Sequence, residues 1–447
     1  MDGDGLDAPS GERQGRRGSM AAHAILTYAT YIGTALLSLA SVLIISRSLG
    51  PSARGEVAFL ITVSTITGMM AGLSVQESNA NLGGSSPGLR PRLATNSLII
   101  ALVCGLGATA AVVAVVAVFP RVGGPVPRLL LYLALATTTI LIAKQFLSFL
   151  IQSDYGFRAT NLAWLSGPLT SATLNGLFAA VGWLTVERSF LIWVFGQALG
   201  LLILLIYIAR NAGFGPPDLA LARRALGFGL KTHPVRLMGV GNYRADQWFV
   251  GAIAGSRELG LYSVAVAWAE ALFYLPGVLT LVQRPDLVRA TRADAAQQAA
   301  RIFRVAAILS IVCAVGLFVT APILCKVIFG AEFTGSIDDL RILAFGAVGI
   351  AAVEIFANAL TAQRLPMLAS AAIGVSFVLT LALDIALIPH FGGAGAAAAT
   401  SVAYTVGGLA AAVIFARAFN LPPRELVPRL SEARLLGRQL AARFGRG

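Results

Sequence analysis

The sequence predicts an all-α membrane protein with about 12 transmembrane helices in two six-helix bundles, and three observations carry that reading. Of its 447 residues, 57% are hydrophobic and 12% charged, with a mean hydropathy of +0.77; soluble chains carry about a quarter charged residues. The apolar residues are gathered into runs of about 20, the length at which a helix crosses a hydrocarbon core of about 30 Å. The longest polar connection, 210–234, divides those runs into two sets of six.

Residues 1–22 are rich in Gly, Asp and Arg and read as a disordered cytoplasmic tail. The apolar run after them is longer than a signal-peptide core and lacks a convincing cleavage site. Spans at 23–46, 57–78, 96–119, 129–151, 161–185 and 189–209 make an N-lobe over 23–209. The segment 210–234, with Gly213-Phe214-Gly215-Pro216-Pro217, reads as a cytoplasmic linker and hinge. Spans at 235–256, 260–283, 302–325, 338–361, 366–388 and 393–418 make a C-lobe over 235–418. In the basic arm 419–447, Pro422, Pro423 and Pro428 precede an amphipathic helix over 430–444 that suits anionic headgroups.

Most of the 34 Lys and Arg fall in segments that are cytoplasmic if the N-terminus is inside, so both termini are expected in the cytoplasm of a multi-pass cell-membrane protein. The same bias accounts for the net charge of +13 without nucleic acid as a partner. Cys104, Cys313 and Cys325 lie in or at the end of apolar spans and read as small core residues, with no disulfide or metal implied. There is no Gly-x-x-x-x-Gly-Lys loop, and His23, His233 and His390 are scattered. Neither a catalytic constellation nor a cofactor or metal site is expected, which leaves transport by a secondary mechanism.

A weak internal repeat supports the division into lobes. Gly50-Pro51-Ser52-Ala53-Arg54-Gly55 joins spans one and two, and Gly255-Ser256-Arg257-Glu258-Leu259-Gly260 joins spans seven and eight, with the same glycine spacing. Six-span repeats keep one orientation, so a pseudo-two-fold along the membrane normal should relate the bundles, with a site between them near mid-depth.

Charges inside the spans are the best pointers to that site. A guanidinium near the bilayer centre costs roughly 2.5–3.5 kcal/mol on insertion scales, so it normally faces a wet cavity, a partner or a substrate. Arg244 in span seven shares a helical face with Gly241, Gln247, Trp248 and Gly251. That face is expected to admit a ligand. Asp246 lies about 200° further round, beside Asn242, and should meet another partner. Glu270 lies mid-span, with Pro276 expected to kink its helix, while Glu354 heads a stripe with Asn358 and Thr361. Lys144 either meets substrate or snorkels to the inner interface, and Asp384 is expected to reach the outer interface or His390. Arg244 either contacts substrate or simply neutralises Glu270 or Asp246.

Ser46-Arg47-Ser48-Leu49-Gly50-Pro51 with Arg54-Gly55 resembles the start of the Wzx-type polysaccharide-biosynthesis flippases, in the superfamily that also holds multidrug exporters and the lipid II flippase. Gly156-Phe157-Arg158-Ala159 with Asn161-Leu162 is similar to their inner loop between helices four and five. Arg244-Ala245-Asp246-Gln247, then Gly255 and Leu259-Gly260-Leu261-Tyr262-Ser263-Val264, resembles the opening of their second lobe. The resemblance covers nearly the whole chain. It implies a flippase that carries polyprenyl-diphosphate-linked oligosaccharide outward by alternating access, with membrane lipids, a glycan polymerase and glycosyltransferases as partners. Arg244, Gln247 and Lys144 are the diphosphate-binding candidates, and Asp246, Glu270 and Glu354 the candidates for coupling or intramembrane pairing. A multidrug or metabolite exporter and a lipid II flippase are the alternatives within the superfamily.

Overall fold

The computed structural model of the chain describes residues 10–270, 287 and 290–428. Residues 1–9, the second half of span 260–283 with Pro276, and the C-terminal helix expected over 430–444 lie outside them. Among the described residues the regular structure is all helical. Helix α1 runs Ser10–Ala71, α2 Val75–Ser85, α3 Arg90–Val118, α4 Arg128–Gln152, α5 Phe157–Ala180, α6 Val186–Asn211 and α7 Leu219–Phe249. After a π-helical turn at Val250–Ala254, α8 occupies residues 256–270. Then come α9 Arg292–Pro322, α10 Ser336–Ala344, α11 Ala347–Ala362 and α12 Pro366–Phe419.

By length and composition, six helices among the described residues can cross a membrane, or seven if the bent pair α10 and α11 is one span. Two of them exceed one crossing. The apolar stretch Leu26–Ala71 has 46 residues and Pro366–Phe419 has 54, about 70 and 80 Å of helix at 1.5 Å per residue against a core of about 30 Å. Each is kinked where a glycine leaves helical geometry, at Gly50 (φ 79, ψ 179) and Gly392 (φ 56, ψ −132). Helix α1 also begins inside the expected disordered tail, because extending a helix already nucleated by an apolar span costs little per residue.

The chain forms two compact units that alternate along the sequence: residues 1–45, 70–110 and 135–232, and residues 46–69, 111–134 and 233–447. In the first, Leu93 and Ala94 of α3, Leu147 and Leu150 of α4, and Leu204 and Ile208 of α6 share one buried core. Polar clasps join its helices, as is usual where lipid offers no hydrophobic drive: Asn175 Nδ2 donates to Ser41 Oγ at 3.1 Å, Asn161 Nδ2 to Thr27 Oγ1 at 3.1 Å and Asn79 Nδ2 to Ser97 Oγ at 2.7 Å.

The linker differs from the hinge expected over 210–234. From Leu219 onward it is helix, continuous through Pro234 into span seven, and it is docked. Leu221, Ala225 and Gly229 recur at every fourth position and are buried, and a methyl at Gly229 would come within 2.4 Å of the Leu73 carbonyl oxygen. Asp218 caps the helix by accepting from the Leu221 N–H at 3.0 Å. That bond, together with Arg92, holds its carboxyl below the usual carboxylate range. Glycine and proline spell a break only at 213–217; the apolar period of four after them makes helix.

In the second unit, Phe303, Phe356, Phe415 and Phe419 form a continuous aromatic stack joining α9, α11 and α12, with ring centroids 4.7–4.8 Å apart. Asn242 of α7 repeats the clasp device, donating to Ser376 Oγ at 3.2 Å and accepting from Thr380 Oγ1 at 2.8 Å.

The repeated glycine motif turns out to be an interlock within this unit. Gly50 and Gly255 adopt nearly the same left-handed, extended conformation, φ 79 and ψ 179 against φ 94 and ψ 178. A methyl at Gly55 would lie 1.7 Å from the Ser256 carbonyl oxygen, and one at Gly260 would lie 1.9 Å from that of Pro51. The offset relating Gly55 to Gly260 also relates Pro51 to Ser256. The contact is therefore reciprocal, as across a local two-fold, and its closeness requires glycine on both sides.

Candidate functional site

Helix α7 carries the site because its middle turns present Arg244, Asp246 and Gln247 in different directions at 100° per residue. Arg244 Nη2 pairs with Glu270 Oε1 of α8 at 3.0 Å, and the two side chains remain 38% and 28% exposed. A charged pair that open at membrane depth belongs against water or a polar ligand rather than hydrocarbon. Asp246, by contrast, is buried on another face. It accepts from the Tyr262 hydroxyl of α8 and from the Gln247 backbone N–H at 2.7 Å.

Gln247 is also buried, and its amide oxygen accepts from Thr62 Oγ1 at 3.3 Å. The glycines on the Arg244 face pack against protein rather than opening a path for a ligand. A methyl at Gly241 would sit 2.5 Å from the Phe377 ring, and one at Gly251 would sit 2.4 Å from the Phe59 ring. Small residues here serve close helix packing. The Arg244 headgroup reaches its opening through its own length.

Glu354 accepts from the Tyr243 hydroxyl at 2.8 Å. The stripe below it is satisfied locally: Asn358 Nδ2 donates to the Glu354 carbonyl and Thr361 Oγ1 to the Ala357 carbonyl, both at 2.8 Å. Tyr243 and Tyr404 meet edge to face at 6.2 Å, and a cavity of about 10 Å³ is lined by Asp246, Tyr262, Glu270, Tyr243 and Tyr404. That volume suits about one water, and it joins the Asp246 neighbourhood to that of Glu270.

Two residues of this unit depart from their expected places. Asp384 is 0% exposed, and neither carboxylate oxygen has a hydrogen-bond partner among the described residues, so it reaches neither an interface nor His390. Its charge is close enough to Asp246 for the two to interact. Arg54, counted from the sequence as a loop residue outside the membrane, is 8% exposed in the turn after the Gly50 kink. Its charge interacts with those of Arg244 and Glu270, and its Nε has no hydrogen-bond partner among the described residues. The Gly50-to-Gly55 spacing was the available signal, since an arginine beside a close backbone contact has little room to leave.

In the first unit, Lys144 is 3% exposed and does not snorkel. Its Nζ donates to Gln197 Oε1 at 2.8 Å and lies 5.0 Å from the centre of the Trp164 ring, a cation–π arrangement. Among the described residues no group of three or more His, Cys, Asp or Glu could hold a metal ion.

Solved structures place the architecture. A structure titled lipid II flippase MurJ in an inward closed conformation aligns with a TM-score of 0.71 at 14% identity, covering 90% of this chain and 89% of that one. An inward-facing multidrug resistance MATE transporter of the MOP superfamily aligns with a TM-score of 0.65 at 16% identity, covering 89% and 98%. A MOP superfamily transporter from Pyrococcus furiosus, whose title describes a binding pocket of reverse polarity, gives 0.56 at 14% identity, covering 90% and 94%. No curated protein matches. The fold is that of the MOP superfamily transporters, and the chain is a helical, multi-pass membrane protein. A family model described as polysaccharide biosynthesis protein matches residues 44–338. The chain belongs to that family.

Proposed function

We propose that the protein flips a polyprenyl-diphosphate-linked oligosaccharide from the inner to the outer leaflet of the cell membrane, by alternating access of two six-helix lobes. The observation that carries this reading is Arg244, half-open at membrane depth and held by Glu270, with the charge of Arg54 in reach. A guanidinium fork can hold two phosphate oxygens at once. Lys144 supplies a further cation in the first unit. An inside-negative potential adds roughly 2.3 kcal/mol per charge per 100 mV in favour of outward passage of the anion. Polymerase and glycosyltransferases are the partners this role calls for, and both termini are placed in the cytoplasm by the distribution of Lys and Arg. The reciprocal Gly55 and Gly260 contact serves as the outer closure.

The direct test is a proteoliposome assay with a polyprenyl-diphosphate glycan whose sugar is labelled at the outer surface. Protein-dependent appearance of the sugar on the far leaflet is expected, and none in any direction overturns the proposal. Lipid II flipping is the second reading, favoured by the fold likeness of TM-score 0.71; lipid II competing as well as other glycan lipids would select it. Cationic drugs are disfavoured as cargo because Arg244 repels them.

Coupling is assigned to Asp246 and Asp384. Two buried carboxylates without a basic partner bonded to them are stable only with a proton or a cation between them. Tyr262 orients Asp246, and Glu270 and Glu354 complete the acidic lining. Asp384→Asn is expected to abolish the dependence of flux on proton or sodium gradients while binding persists. An unchanged response to both gradients removes the pair from the mechanism.

A further inference from the structure

An apolar groove in the first unit has walls too well built to be incidental. Its volume is about 660 Å³, and it is lined by Leu98 and Ile99 of α3, Leu205 and Ile206 of α6, and Phe214 of the following loop. Leu98 and Leu205 pack onto the buried core of the unit, so the floor is fixed. The wall hydroxyl, Thr95 Oγ1, is already spent on the Gly215 carbonyl at 2.7 Å.

The loop that ends the groove is fastened as well. Gly215 N–H donates to the Pro91 carbonyl at 2.9 Å, and Asn96 and Asp218 exchange two bonds, at 2.8 and 3.0 Å. Phe214, 46% exposed, therefore holds its position at the groove's end.

Charge is arranged at that same end. Arg92 lies in the first turn of α3, one turn before Thr95, and Arg210 in the last turn of α6, beside Ala209. Both are exposed, and Arg92 bonds Asp218 at 3.3 Å while staying 50% exposed. Arg92 precedes Ile99 by two helical turns, about 10 Å along the axis. A hydrocarbon chain lying in the groove would thus bring a phosphate to the level of the two guanidiniums, the depth at which basic side chains meet headgroups.

We infer that this groove is a resident site for an anionic membrane phospholipid, one acyl chain between α3 and α6 and its phosphate at Arg92 and Arg210. The site is independent of what the protein transports. The two arginines give it a preference for anionic over zwitterionic headgroups, and the fixed floor gives it retention beyond that of lipid at a smooth helix face.

Native mass spectrometry of the purified protein, titrated with equal phosphatidylglycerol and phosphatidylcholine, tests it. One phosphatidylglycerol is expected to stay bound preferentially. Ala209→Trp or Ile206→Phe, each filling the groove, should reduce that bound lipid to background. The pair Arg92→Gln with Arg210→Gln should keep a bound lipid but lower the preference by roughly tenfold. Equal retention of the two lipids by the unaltered protein, or retention unchanged in both filling variants, overturns the assignment.

Discussion

Arg244→Ala is expected to abolish export of the lipid-linked glycan while the protein remains inserted at its normal level, and Arg244→Lys to be impaired. The pair with Glu270 at 3.0 Å, its side chains 38% and 28% exposed, contributes little stability; ion pairs that open are worth about 1 kcal/mol or less. Loss of a fork making two charge-assisted bonds to a diphosphate is larger. At about 1.5–3 kcal/mol per such bond, flux should fall roughly 100-fold or more. Surface polysaccharide and membrane protein level, measured together, separate the effects. Normal polysaccharide in the Ala variant would sink the phosphate-binding role. Reversal, Arg244→Glu with Glu270→Arg, is expected to restore any lost protein level but not export, since the swapped guanidinium starts from α8 and carries its donors elsewhere.

Spans were legible because hydrocarbon imposes one length on every apolar run, and the family resemblance agrees with the family match over residues 44–338. What lay beyond sequence was whatever depends on the packing partner. The three-and-four spacing correctly put Gly241 and Gly251 on the Arg244 face, yet spacing cannot say that Phe377 and Phe59 cover them. Arg54 was taken for a loop residue because Gly50-Pro51 reads as a turn and arginines collect at span ends. The tight corner contact keeps it in. Asp384 was expected to reach water, as an acid in the outer half of a span ordinarily does. Burial beside Asp246 instead makes it part of the polar interior.

The glycine interlock yields the second large effect. A methyl at Gly55 would meet the Ser256 carbonyl at 1.7 Å, and one at Gly260 the Pro51 carbonyl at 1.9 Å, so in either variant backbone must move apart. Forced overpacking costs about 1–3 kcal/mol, and here the strain opens the outer closure instead of distorting a core. Gly55→Ala and Gly260→Ala are each expected to speed labelling of a cysteine at Ser256→Cys by a membrane-impermeant thiol reagent several-fold. Gly255→Ala is the control: its φ of 94 strains the backbone, but nothing lies within 4 Å of the added methyl, so stability should fall without the same gain in labelling. Because Gly55 and Gly260 close one shared contact, the second methyl enters a gap the first has already opened. The double variant should therefore lose clearly less stability than the two single losses added together. Full additivity in melting measurements, with labelling unchanged, would mean that the two corners are separate packing defects and not one reciprocal closure.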